Sequence, residues 1–202
     1  LMAGAWGTLG LLTEVSLKVL PVAPAEATLR FECNQADALR KLHAWGGQPL
    51  PLNASCWVED AGVGQLYVRL RGAVAAVDAA CKSMGGTRLD NATAAPDWQA
   101  CREQTLPWFA ARLARPGQAL WRLALPATAP VLALPGGVSP LVEWHGALRW
   151  VQAPLAHGDV LREAARAVGG SASLFIADGA VGERAGGQFD LKSAALEQIH
   201  AR

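Results

Sequence analysis

The stretch PLNASCWVEDAGVGQLYVRL, residues 51–70, decides the fold. Two strand-like runs, Pro51 to Val58 and Gln65 to Leu70, flank a turn containing Gly62 and Gly64. That is the pattern of two paired strands. A helix from Ala73 to Met84 follows, with Val74, Val77, Cys81 and Met84 on one face and Gly85 and Gly86 as its stop.

Upstream, Ala27 to Phe31 reads as a strand, and Gln35 to Trp45 as a helix that Asn34 can cap, with Leu39, Leu42 and Trp45 recurring every three residues. Thr13 to Val19 alternates Val15, Leu17 and Val19 with Glu14, Ser16 and Lys18, the period of a half-buried strand, and Pro21 and Pro24 end it.

Downstream, Asp90 to Pro116 is irregular, with a short helix near Asp97 to Glu103 and a break at Pro107, and it fits a crossover between two halves. Trp98, Trp108 and Phe109 fall in this connection and are read either as core or as a partner-contact surface. The earlier order then returns. Strand Leu120 to Leu125 precedes a hairpin, Leu141 to His145 and Leu148 to Gln152, around Gly146. Helix Asp159 to Val168, capped by Asp159 or Gly158, leads into strand Ala172 to Ala177. The reading is an α+β fold: an antiparallel sheet with helices packed on one face, built from approximately duplicated strand, hairpin and helix units. Such a sheet keeps its second face for covering something else.

Composition limits what the chain can do. It has 202 residues, of which 51% are hydrophobic and 17% charged, enough apolar side chain for a substantial core. The formal net charge is +1 and basic residues are scattered, so no nucleic acid partner is expected. Apolar runs are interrupted too often to span a bilayer. Cys33, Cys56, Cys81 and Cys101 are widely spaced and no histidine stands beside them, which points to reduced thiols, a reducing cytoplasmic compartment and no metal site. The chain opens on Leu1 and stops in a helix-like stretch, Ser193 to Arg202, so both ends read as cut from a longer protein.

Chemistry concentrates in few places. Gly4, Gly7 and Gly10 recur every three residues in the first segment and would let a flat or extended ligand approach the main chain, yet they match neither the dinucleotide fingerprint nor a P-loop. Arg122 and Arg149 lie in strands beside Trp121 and Trp150, where a fixed guanidinium would match a carboxylate. His145 adjoins the hairpin turn and would accept a proton near neutral pH. The competing reading is structural, with arginine stems packed beside aromatics.

The run from Met2 to Pro21, MAGAWGTLGLLTEVSLKVLP, resembles the closing segment of the FAD-binding domain in flavoproteins of the vanillyl-alcohol oxidase superfamily. Further runs resemble the FAD-binding subunits of bacterial glycolate oxidases within that group. They are Leu39 to Ser55, which includes Leu42 to Pro51, then Arg102 to Gln104, Leu120 to Leu123, Glu143 to Trp150 and Ala185 to Gly187. The resemblance implies a flavin-dependent enzyme for glycolate or a related small 2-hydroxy acid. Electrons would pass through FAD to partner subunits, a second flavin subunit and an iron–sulfur subunit. It implies that residues 1–24 close the FAD-binding domain and lead out of it, and that residues 25–202 form a C-terminal substrate or cap domain.

Gly7, Thr8, Gly10 and Thr13 would then lie beside FAD, and Arg122, Arg149 and His145 would be the catalytic candidates. Without the upstream flavin domain the chain itself is expected to be inactive and not to retain FAD. The exposed strand-forming N-terminal segment would give it weak self-association. Attachment to the inner face of the cytoplasmic membrane would run through the partners. Related catalytic subunits carry paired histidines and a glutamate around a metal, and no such cluster occurs here. A non-catalytic assembly subunit and a small-acid binding module therefore stay open as alternatives.

Overall fold

The computed structural model describes residues 10–19, 21–111 and 117–177. It contains β1 (Ala25–Glu32), α1 (Gln35–Gly46), β2 (Leu52–Asp60), β3 (Val63–Gly72), α2 (Val74–Met84) and β4 (Thr87–Leu89) in the first half. The crossover holds α3 (Asn91–Glu103) and α4 (Pro107–Ala110). The second half holds β5 (Gln118–Ala124), β6 (Leu141–Glu143), β7 (Leu148–Pro154), α5 (Gly158–Ala167) and β8 (Ser171–Ile176).

All eight strands join one antiparallel sheet in the order β4-β1-β3-β2-β6-β7-β5-β8. Read outward from its centre, the order is the same in both directions if β6, β7, β5 and β8 are the counterparts of β2, β3, β1 and β4. Each half thus has the strand arrangement of a split βαβ unit. The expected duplication is present, and the α+β antiparallel class with it. The strands of the two halves join where β2 pairs with β6, through Cys56 opposite Glu143 and Trp57 opposite Val142.

Cross-strand partners share a face, so the register separates two cores. Ala27, Leu29, Leu66, Val68, Leu70 and Trp57 pack under α1 and α2. Trp121, Leu123, Val151 and Leu174 continue the same face under α5, through Leu161 and Ala165. The opposite face carries Cys56, Leu120, Leu141, Leu148 and Trp150. Here α3 and α4 lie across the middle of the sheet, contributing Cys101 and Phe109, with Trp98 and Trp108 packed alongside. The second face is therefore partly occupied by the crossover. Phe109 is core and stacks edge-on against Trp150 at 5.7 Å between ring centroids, which decides against the contact-surface reading for that residue.

Local chemistry explains the element ends. Asn34 caps α1 by accepting from the Asp37 amide at 2.9 Å, and Asp90 caps α3 through the Thr93 amide at 3.0 Å. The Asp90 cap starts α3 earlier than apolar periodicity alone indicates. Neither Asp159 nor Gly158 caps α5; its N-cap is His157, without a side-chain bond. Gly158 is instead the first helical residue, where a Cβ would come within 2.6 Å of the Trp121 ring.

As the order of elements in the sequence indicates, the first half has an extra helix, α1, after its first strand; in the second half residues 125–140 form a connection whose Leu132, Leu134 and Val138 pack on the core under α5. One further expectation is corrected. The alternating segment Thr13 to Val19 forms no strand. It is exposed, with Leu11, Leu17 and Val19 at 79–90% of full exposure, because no strand among the described residues offers it a ladder. Gly7, Thr8, Ala185 to Gly187 and Ser193 to Arg202 lie outside the described residues. Among the described residues no helix is long and apolar enough to cross a membrane.

Candidate functional site

Among the described sequence candidates, His145 is the one that stands in a cleft. The β6–β7 turn is built from three successive residues in the left-handed region: Trp144 (φ +51°), His145 (φ +54°) and Gly146 (φ +99°). For the two non-glycine residues this conformation costs about 1–2 kcal/mol each. Three contacts hold it. The His145 amide donates to Ser55 Oγ at 2.9 Å, the Ala147 amide donates to the Trp144 carbonyl at 3.1 Å, and Leu39 of α1 packs within 2.9 Å of where a Gly146 Cβ would stand. The result leaves Trp144 67% exposed while the imidazole is half-buried.

This turn forms one wall of an open cleft of about 750 Å³ on the α3 face of the sheet. The other walls bring Ser55 from β2, Arg69 and Arg71 from β3, and Gln99 and Arg102 from α3. Glu26 of β1 ties the two β3 arginines. Arg69 grips its carboxylate with two hydrogen bonds of 2.7 and 2.8 Å, and Arg71 Nε lies 3.1 Å away, too oblique for a hydrogen bond. Arg102 pairs at the surface with Glu103 at 2.8 Å. Below the cleft Glu143 has both oxygens engaged, one accepting from Cys101 Sγ at 2.8 Å and the other from Trp150 Nε1 at 2.6 Å.

Burial lowers the His145 pKa below its ordinary value, so the ring is neutral at physiological pH. Its Nδ1 is buried and has no hydrogen-bond partner. Cys101 is shifted the other way: its contact with Cys56, then burial, then the Glu143 carboxylate all raise the thiol's pKa. Both cysteines remain thiols, as do Cys33 and Cys81. A smaller cavity of about 190 Å³ beneath α3, bordered by Cys56, Val58, Leu89 and Leu106, is mostly apolar and has little with which to hold a charged ligand.

The two arginine candidates separate. Arg122 is half-exposed on the sheet face opposite α5, beside Trp150 in the register, and its guanidinium has no partner among the described residues. Arg149 points to the other face and is 1% exposed. Its two terminal nitrogens donate to the Pro130 and Ala129 carbonyls, each at 2.6 Å. Burial lowers its pKa to about 10, which still leaves it charged at neutral pH. The clamp expected at Arg149 is thus turned inward, onto the β5–β6 connection.

Arg69, Arg71 and Arg102 escaped the sequence reading because strand alternation alone puts an arginine on a face without saying what faces it. Gly10 and Thr13 are exposed in the extended N-terminal stretch, with open space around Gly10. Among the described residues no group of histidine, cysteine and acidic side chains is placed to share a metal ion.

No protein-family model matches the chain, and no solved structure matches it significantly. Among curated proteins it is 40% identical, over 177 residues, to the glycolate oxidase subunit GlcE of Escherichia coli strain K12. The match covers 88% of this chain and 46% of that protein, so the chain spans about half the length of its curated relative. The similarity runs through nearly all of the chain.

Proposed function

We propose that this chain is the substrate or cap portion of a FAD-dependent oxidoreductase subunit acting on glycolate or a related small 2-hydroxy acid. The observation that carries this reading is the 40% identity over 88% of the chain to a glycolate oxidase subunit. In this reading residues 1–24 close the FAD-binding domain and residues 25–202 belong to the cap, with Gly7, Thr8, Gly10 and Thr13 beside the cofactor. Bound FAD supplies the acceptor for the hydride equivalent.

The chain's own groups orient the acid. Arg122, on the face away from α5, and His145, in its cleft, are the catalytic candidates that remain open to a ligand. Electrons leave through a second flavin subunit and an iron–sulfur subunit, in a cytoplasmic complex held at the membrane's inner face by those partners.

The test is to purify the longer protein that contains this chain, together with its partners, and record its absorption spectrum without oxygen. A flavin spectrum that bleaches on adding glycolate is expected; a purified complex without flavin would overturn the reading.

A further inference from the structure

The geometry points to a small-carboxylate site in the cleft between α3 and the β6–β7 turn, with Arg71 as its anchor and His145, positioned by Ser55, beside it. This deepens the function proposed above by naming residues for the acid, but its physical basis is the cleft alone.

Charge pairing around Glu26 is uneven. Arg69 grips the carboxylate bidentately, and the second guanidinium, Arg71, touches it only obliquely through Nε. The Arg71 terminal nitrogens have no partner among the described residues, and its side chain is 34% exposed at the cleft. An arginine fork held at its root and open at its tip is the donor arrangement that a planar carboxylate fits. Glu143 also lines the cleft, but both its oxygens already accept, from Cys101 and Trp150.

The histidine adds a second function. Its ring is half-buried at the cleft and is carried on a left-handed backbone held by Ser55 of β2, Leu39 of α1 and the Ala147 to Trp144 turn bond. Strained, over-determined backbone of this kind is characteristic of ligand-holding positions. A neutral imidazole beside a bound carboxylate can exchange a hydrogen bond with a neighbouring hydroxyl or carbonyl of the same molecule. Ser55 is a positioning residue here, acting through the His145 amide.

The probe is oxalate, titrated into the chain while the Trp144 indole and His145 ring resonances are followed by NMR, with sodium chloride at matched ionic strength as the blank. Saturable shifts at millimolar oxalate are expected, weakened at least tenfold by Arg71→Gln and several-fold by Ser55→Ala, and unchanged by Arg88→Ala, an exposed arginine paired with Asp78 outside the cleft lining. If Arg71→Gln does not fold, Arg71→Lys, which retains the charge beside Glu26 and loses the fork, carries the same expectation at reduced size. Shifts reproduced by chloride, or oxalate binding that survives both Arg71 variants, would overturn the site. Flavin content of the longer protein is read separately, so failure of the cleft and failure of the flavoenzyme reading remain distinct results.

Discussion

The guanidinium of Arg149 donates to the Ala129 carbonyl at 2.6 Å, and through this bond and its twin to Pro130 strand β7 holds the irregular connection that stands where the first half has α1. A helix satisfies its own carbonyls. A connection laid over a sheet needs donors from elsewhere.

Arg149→Met should therefore cost about 2–4 kcal/mol, since it strands two carbonyls and empties part of the core. Arg149→Lys should fall between, because a point charge cannot reach both oxygens with a fork's geometry. Denaturant unfolding of the two variants measures this. Wild-type stability in Arg149→Met would show that the loop is held by packing alone.

The β2–β3 hairpin makes a sharper steric test. A Cβ at Gly64 would lie 2.2 Å from the Cys33 carbonyl oxygen and 3.0 Å from the Trp57 ring, where the Trp57 indole already donates to Cys33. Gly64→Ala should destabilise by about 1–3 kcal/mol through overpacking. Gly62→Ala, with φ +80° but open space, should cost only about 1–2 kcal/mol of backbone strain. The clash predicts loss of the Trp57 near-ultraviolet signal in the first variant and its retention in the second.

His145 links stability to pH. Its folded pKa is depressed by burial, so the unfolded chain binds the proton more readily. The contribution is fully present above the unfolded value of about 6.5 and is lost as pH falls from there through the folded pKa. His145→Gln should flatten the stability profile over that window. An unchanged slope would mean that the ring is solvated when folded.

Arg122 is half-exposed and unpartnered among the described residues, so Arg122→Ala should alter the unfolding free energy by no more than about 0.5 kcal/mol. In the complete flavin complex the same change should lower kcat/KM for glycolate while leaving the flavin spectrum as it was. Undiminished turnover would remove Arg122 from the site.

The N-terminal stretch predicts association. Leu11, Val15, Leu17 and Val19 are exposed together, and burying two or three of them would contribute about 1.5–3 kcal/mol each, against about 1–2 kcal/mol for every backbone residue ordered. These opposing contributions nearly cancel, so self-association should be weak and concentration-dependent. Sedimentation of the chain beside a version starting at Ala25 checks this; identical monomeric behaviour of the two would acquit the segment.

Sequence alone determined the elements that rest on local chemistry. Helix α1 follows from Asn34 and the spacing of Leu39, Leu42 and Trp45; the β2–β3 hairpin follows from alternation around Gly62; the repeat follows from the return of the same order after Gly117. Likeness to a glycolate oxidase subunit was legible in runs such as Leu42 to Pro51 because those residues can be compared one by one.

What only the tertiary structure decided depends on which residues come opposite one another. Thr13 to Val19 has a strand's pattern and no strand, since a ladder requires a neighbour that alternation cannot supply. Arg122 and Arg149 both sit beside tryptophans in the chain. The register places them on opposite faces of one sheet, and Arg71, with nothing distinctive around it in sequence, reaches His145's cleft because β3 and β6 both flank β2.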